Sequence, residues 1–558
     1  MTKIYNLFAK YNFLEKFLIL WAIFAGSLSL VLFFLGLVSL FYRSIVIVVV
    51  IVFFLLFFLF LKKIKFWADF KAFWHIFKKA IRQDRWLLAI IIVFLLFVLM
   101  NFVVALAPET GFDALWYHLT LPKIYLAVHQ IRFISGNNLY YSVMSRTVEM
   151  LYGAALAFNP TGILAKLTHL FFGLTWFSGT YLFCRLFLSR RVALFSSLII
   201  YGTTLVSWLS QTAYIDLAVT FFVVMSLWQI FRYFKSQDNF NLYLSAIFMG
   251  FALASKTYEL IIFAIIALII LGKNGLKPAL KFSCIALIIV FPYFLQAYLA
   301  TGHIIYPTTS FIDSTINYRN WYLFTWWHLL PKSLYQTFVF TYTPILAMVP
   351  FIFLARNWQK MILPIIILGG YIVLYSIVPF HDPRYFLVIL PVIALLIGYI
   401  IANFEFRLGQ ILLIVFAVII MFYNFNASLN GFGGNIKVVL GLESRNQYLC
   451  TYAAPAFYDC NGFLDTYTKP NDKIWVGALG SRFYLNRPFA DYDYDPAWRN
   501  FLTSATKFHQ YLQNNNFRYV LLGGGKTLAQ FSNINESDLN PYFKLVHSDS
   551  FYNLYKIK

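Results

Sequence analysis

Residues 108–131 read PETGFDALWYHLTLPKIYLAVHQI. In this short stretch a carboxylate (Asp113), two aromatic rings (Trp116, Tyr117), an imidazole (His118) and an ammonium (Lys123) follow one another. A carboxylate can take a proton from a hydroxyl, a histidine can orient it, and a lysine can hold an anion as a point charge. Further charged groups stand at the edges of apolar runs: Glu149, Asp216, Lys256, Glu259, Asp313, and the set His381, Asp382, Arg384, Tyr385. Charges at a membrane edge are costly, so such residues are candidates for function.

The elements that must position them are long apolar runs. Of 558 residues, 61% are hydrophobic and only 12% charged, and mean hydropathy is +0.71. Soluble domains carry roughly 25% charged residues, so a soluble enzyme, a disordered chain and a disulfide-stapled module are all excluded. Apolar segments at 17–41, 44–61, 86–107, 163–188, 192–210, 217–234, 241–255, 257–272, 279–300, 338–355, 361–379, 385–403 and 408–426 predict about thirteen transmembrane helices. Their lengths suit helices needing ~20 residues to span a bilayer, not barrel strands of ~10. The first run, preceded by Lys3, Lys10 and Lys16, is expected to be a retained anchor.

Lys62, Lys63, Lys65, Lys71, Lys78, Lys79, Arg82 and Arg85 fill the loop before the third run. The positive-inside rule puts that loop, and with it the amino terminus, in the cytoplasm. Between 241 and 272, two short helices meeting at Lys256 on the outer side satisfy the flanking charges better than one tilted span. The outer segments are then long at about 108–162 and 301–337. The net charge of +22 lies in short loops between the apolar runs, which speaks for topology and against nucleic acid as a partner. Residues 1–426 are expected to form the membrane domain and 427–558 a soluble extracytoplasmic domain. In the latter, strand-like runs 473–478, 517–522 and 551–557, with a helix near 499–515, suggest a small α/β fold. The fold class is therefore all-α and polytopic with a C-terminal α/β domain.

Under this topology Glu109, Asp113, Glu149, Asp216, Glu259, Asp313 and Asp382 converge on one face. Each candidate has a plainer competitor. Asp113 could cap a helix at 114–130 lying on the membrane with its Leu and Ile residues toward lipid. Asp216 could cap its own span, Lys256 could snorkel to the interface, and Arg384 could pair with Asp382 or Glu405. The aromatic run 318–327 (YRNWYLFTWW) is expected to be an interfacial belt rather than a lid.

An outer acid followed by Tyr-His and a basic residue resembles the C-type glycosyltransferases, polytopic enzymes that include protein O-mannosyltransferases and lipid A aminoarabinose transferases. Tyr214–Leu217 (YIDL) resembles that family's second acid, Gly250–Lys256 (GFALASK) its Gly-to-Lys turn, and 381–387 (HDPRYFL) its Arg-Tyr entry to a late span. The stretch 473–488 resembles the outer domain of bacterial members. The first loop here reads Gly-Phe-Asp-Ala, without the paired acids of some members. The resemblance implies transfer of a sugar from a polyprenyl-phosphate donor to a glycan, lipid or protein acceptor. In that scheme Asp113 is the base and Asp216 a second acid. Lys123, Lys256 and Arg384 hold the donor phosphate, with Tyr117, His118, Glu149, His381, Asp382 and Tyr385 supporting or binding substrate. A divalent cation is a further expectation, since carboxylates suit hard cations.

Two other function classes compete: a transporter or flippase of lipid-linked sugars, and a non-catalytic envelope assembly protein. Transporters commonly show paired repeats and mid-membrane charges; no repeat is visible here, and the acids cluster at one face. The expected location is the plasma membrane, multi-pass, with the tail outside. Cys450 and Cys460 are disulfide candidates in that tail; Cys184 and Cys284 fall within spans. Residues 523–526 (GGGK) lack the spacing of a phosphate loop.

Overall fold

The computed structural model describes residues 8, 10–64, 66–134, 140–305, 343–377, 382–430, 432–453, 457–491 and 502–558. Among them, nine helices are long and apolar enough to cross a membrane. The other four expected crossings differ for local reasons. Ile163–Arg185 is a helix of 23 residues made more polar by Lys166, His169 and Arg185. The run 192–210 breaks at Gly202–Thr203 into Arg190–Tyr201 and Thr204–Leu209. Asn239–Ser255 has 17 residues. Of 338–355, the described part is two short helical turns, Thr343–Leu346 and Val349–Leu354.

The centre of the bundle is Asp216–Ser236 and Pro383–Asn403, each with 89% of its most apolar window buried, against 17% for Arg43–Lys63. The peripheral helix turns Phe54, Leu55, Leu56, Phe58 and Leu59 outward. Such a surface suits lipid and not water. Small residues let the central helices close up: the Ser226 and Ser245 hydroxyls lie 2.9 Å apart, and a Cβ on Gly250 would stand 2.8 Å from the Cβ of Ile289. Gly250 therefore serves packing against Leu276–Thr301.

Caps set several ends. Asn12 and Glu15 exchange side-chain and backbone hydrogen bonds at the start of Phe13–Leu37, and Asp84 accepts from Leu87 N before Arg85–Ala105. The basic stretch after Lys63 is an amphipathic helix, Phe66–Gln83, rather than a loop. Phe66, Phe70, Phe73 and Phe77 recur at helical spacing, with Lys71, Lys78 and Lys79 between them, the pattern of a helix lying in an interface. The chain breaks at Lys256, whose backbone is extended, and resumes as Leu260–Asn274.

The helix Arg407–Asn430 runs past the expected boundary at 426. The tail carries a five-stranded sheet: β1 (Ile474–Gly477), β2 (Phe489–Asp491), β3 (Tyr519–Gly523), β4 (Phe543–Ser548) and β5 (Tyr552–Ile557). Its order is β2-β1-β3-β5-β4, parallel at β1–β2 and β1–β3 and antiparallel at β3–β5 and β4–β5. The helix Ala505–Asn514 packs Phe508 and Leu512 against Trp475 and Val520. Cys450 and Cys460 are joined by a disulfide with Cα atoms 5.4 Å apart, within the range that unstrained bridges use. Cys184 is a buried thiol and Cys284 an exposed one.

Candidate active site

The turn bearing Asp113 is built by groups that satisfy backbone. Lys166, buried on Ile163–Arg185, donates to the carbonyls of Val104, Ala107 and Pro108 at 3.2, 2.8 and 3.4 Å. Two of these acceptors, Ala107 and Pro108, follow the end of Arg85–Ala105, so the ammonium holds the chain where it leaves that helix. The Glu109 carboxylate then accepts from Thr110 N, Gly111 N and Ala213 N at 2.9, 2.7 and 2.6 Å. It thereby ties the Asp113 loop to the loop before Asp216. Asp113 N donates to the Tyr214 hydroxyl at 3.1 Å; burial pushes that phenol well above its usual pKa, so it stays protonated.

Asp113 leads into a π-turn, Ala114–His118, and makes no side-chain cap there, so the capping reading does not describe it. Its Oδ2 instead accepts from Arg384 Nη1 at 2.7 Å and from the Tyr117 hydroxyl at 3.4 Å. Burial and the neighbouring Asp113 raise the Tyr117 phenol far above its usual range. Its ring stacks on Tyr141 at 3.7 Å. Arg384 also grips Asp382 through Nε and Nη2 at 3.0 and 2.7 Å, while Asp382 Oδ1 accepts from Arg384 N at 2.9 Å. One guanidinium thus serves two carboxylates, with its Cζ 4.9 Å from the centre of the Tyr214 ring.

Asp216 opens its helix without capping it. Its Oδ1 lies 2.6 Å from Lys256 Nζ, and that ammonium stands 4.0 Å above the Tyr385 ring, a cation–π contact. Lys256 therefore pairs with a carboxylate and does not snorkel into solvent. The start of the Asp216 helix is fixed by His169, whose Nε2 accepts from Leu217 N at 3.0 Å while Nδ1 faces the carbonyls of Leu209 and Thr212 at 2.8 and 2.9 Å. That network assigns the proton to Nδ1. His118 Nδ1 lies 2.8 Å from Glu149 Oε1, both residues buried.

Tyr117, His118, Glu149, Asp216, Lys256 and Arg384 all line one cavity of about 70 Å³. Asp113 borders it through its bonds to Arg384 and Tyr117. The helix expected at 114–130 does not present its apolar residues to lipid: Leu115, Leu119, Leu121, Ile124 and Tyr125 are buried, and it packs on Thr147–Phe158.

Lys123 does not join this group. The π-turn spends an extra residue, as Leu119 N donating to Ala114 O at 2.9 Å shows, and each extra residue rotates the following helix by about 100°. Lys123 instead donates to the carbonyls of Phe483 and Leu485 at 2.6 and 3.0 Å. Burial brings its pKa down to about 8. The same loop of the tail reaches the site turn twice more: Ser481 Oγ donates to Leu115 O at 2.9 Å, and the Tyr484 hydroxyl to Glu109 O at 2.7 Å.

His381, Asp313 and the aromatic run 318–327 lie outside the described residues. The sequence reading gave Glu109 and Lys166 no role and passed over His169 and Tyr141. A lysine and a histidine three residues apart in an apolar helix were the available signal. Arg146 was also passed over: it is 2% exposed and bonds Tyr125 Oη, Gln296 Oε1 and Met144 O at 3.1, 2.8 and 3.0 Å. Among the described residues, no group of three His, Cys, Asp or Glu side chains is placed to hold a metal ion.

No protein-family model matches the sequence, and no curated protein matches it. Solved structures do. The crystal structure of ArnT from Cupriavidus metallidurans bound to undecaprenyl phosphate superposes with TM-score 0.57 and 12% identity, over 84% of this chain and 97% of that one. Its apo state gives TM-score 0.54 and 13% identity over the same shares. The Archaeoglobus fulgidus oligosaccharyltransferase complexed with Zn and sulfate is more distant, at TM-score 0.47 and 13% identity over 83% of this chain and 72% of that one. At these identities the likeness concerns architecture. The chain has the C-type glycosyltransferase fold, a polytopic helical membrane domain with a small α/β tail.

Proposed function

We propose that this protein is an integral membrane glycosyltransferase that moves a sugar from a polyprenyl-phosphate donor to an acceptor hydroxyl on the extracytoplasmic side. The observation that carries the reading is the meeting of Asp113, Asp216, Lys256 and Arg384, from four separate segments, around one cavity at one end of the bundle. The solved neighbour bound to undecaprenyl phosphate supports the same class of donor.

In the proposed step, Asp113 accepts the proton of the acceptor hydroxyl as that oxygen bonds to the anomeric carbon. The bond from that carbon to the donor phosphate oxygen breaks, and its electron pair leaves on the lipid phosphate. Arg384 and Lys256 stabilise the growing charge. Such fixed cations act most strongly where water is excluded. The guanidinium suits a bidentate phosphate contact and the ammonium a point charge. Asp216 positions Lys256, and the His118–Glu149 pair orients the acceptor side. Among the described residues no three carboxylate, histidine or cysteine side chains are gathered to hold a divalent cation, and the proposed step takes its positive charge from Arg384 and Lys256.

The test is purified protein in detergent, offered polyprenyl-phosphate hexoses and pentoses labelled in the sugar. Release of free polyprenyl phosphate together with labelled acceptor or free sugar supports transfer. Movement of intact lipid-linked sugar across proteoliposomes, with no bond broken, would replace this reading with a flippase.

A further inference from the structure

A second cavity, of about 460 Å³, opens where the tail loop meets the membrane domain and shares no lining residue with the first. Its charged lining groups are Arg43, Lys123 and Arg445, and no carboxylate lines it. Arg43 stands at the start of Arg43–Lys63 and donates through Nε to Ala157 O at 2.6 Å. Arg445 opens the helix Arg445–Tyr452 after its Ser444 cap. Lys123 is half-buried between them and the tail loop, with Asn486 Oδ1 at 3.3 Å as its third acceptor. Among the described residues, none of the three cations has an ion-pair partner. Leu156 and Phe483 add apolar wall.

Like charges gathered on one cavity repel, and a low-dielectric wall focuses their field on whatever fills it. A structure that places three cations there with no acid is electrostatically complementary to an anion. The size is that of a ligand pocket and exceeds a bare ion. Two guanidinium forks beside an ammonium match a phosphate group better than a single carboxylate. Elsewhere in the molecule the contrast is plain: Arg384 and Lys256 are each met by carboxylates.

We infer that the cavity lined by Arg43, Lys123 and Arg445 is a second anion site that takes a phosphate-bearing group, separate from the Asp113 cavity. Two sources carry that chemistry, the headgroup of an anionic lipid and a soluble phosphate. Because Lys123 also holds the tail loop, an occupied site would clamp the tail to the membrane domain.

The experiment uses the full chain and the double variant Arg43→Gln/Arg445→Gln. Both positions are exposed, and neither belongs to the Asp113 site. In detergent, native mass spectrometry measures retention of phosphatidylglycerol against phosphatidylcholine. In phosphatidylcholine nanodiscs, inorganic phosphate is titrated and tryptophan fluorescence is read. Losing two charge-assisted hydrogen bonds should weaken binding by at least about tenfold. Selective loss of phosphatidylglycerol in the variant identifies a lipid headgroup; loss of phosphate binding alone identifies a soluble group. Equal binding of both probes by variant and wild type, or binding of neither by the wild type, overturns the site.

Discussion

Asp113 and Asp216 are both carboxylates paired with a cation at the same cavity, yet they are held differently. Asp113 sits on a loop, makes no cap and shares Arg384 with Asp382. Asp216 opens one of the most buried helices in the molecule, and its Oδ1 has its own ammonium. The first carboxylate can surrender its partner, because Arg384 keeps Asp382. The second cannot, because Lys256 has no other carboxylate at hydrogen-bond distance among the described residues. In the proposed reaction the two environments suit different work: proton transfer for Asp113, and fixing of charge for Asp216.

Asp113→Asn tests that difference most sharply. The amide keeps the shape but takes no proton at neutral pH, so transfer should fall by roughly 10²–10⁴-fold. Thermal stability should barely move, since Arg384 stays paired. Turnover within a few fold of wild type would remove Asp113 from the base role.

Asp216→Asn should act on folding instead. Breaking a buried pair by removing one partner strands the other charge and costs about 3–5 kcal/mol. Stability measured in detergent should therefore drop well below that of Asp113→Asn. Adding Lys256→Met to the same chain should recover much of the loss without restoring activity. A single variant as stable as wild type would mean that Asp216 and Lys256 do not depend on one another.

The contrast also shows what could be read beforehand. The acids and cations that converge were legible because charges are rare in apolar runs, and the break at Lys256 was legible because flanking lysines demanded it. Lys123 was misplaced because a π-turn has no period in the sequence, and one extra residue swings the helix away. Glu109, Lys166 and His169 were obscure because their work is to satisfy backbone groups, which only a fold reveals. In the tail, β1, β3 and β5 were visible as apolar runs. Phe489–Asp491 is too short to show a pattern, and Phe543–Ser548 alternates too weakly to be told from a loop. The helix Phe66–Gln83 hid behind its own charges, although its aromatic spacing was present.

A smaller effect should come from the tail loop. Tyr484→Phe removes the hydrogen bond to Glu109 O, worth about 1 kcal/mol, at the turn that carries Asp113 and not at Asp216. Turnover should fall a few fold with donor affinity unchanged. A change in donor affinity instead would place the loop in contact with the lipid and not behind the base.

The smallest expected effect separates Lys123 from the paired lysine. Burial lowers its pKa to about 8, below the ~10.4 of an unfolded chain. Between those two values the unfolded chain binds a proton that the folded chain has released, so this group's contribution makes stability rise with pH across that window and leaves it flat below. The measurement is the thermal midpoint of the wild type minus that of Lys123→Met, followed from pH 7 to about 10. The difference should shift in favour of the wild type above pH 8. A flat difference would mean that the carbonyls of Phe483 and Leu485 hold the proton against burial. Inorganic phosphate offers the converse. An anion in the Arg43–Arg445 cavity restores the ammonium's countercharge, raises its pKa and moves the rise to higher pH. The same addition should leave the Asp216–Lys256 pair, which already carries its own countercharge, unaffected.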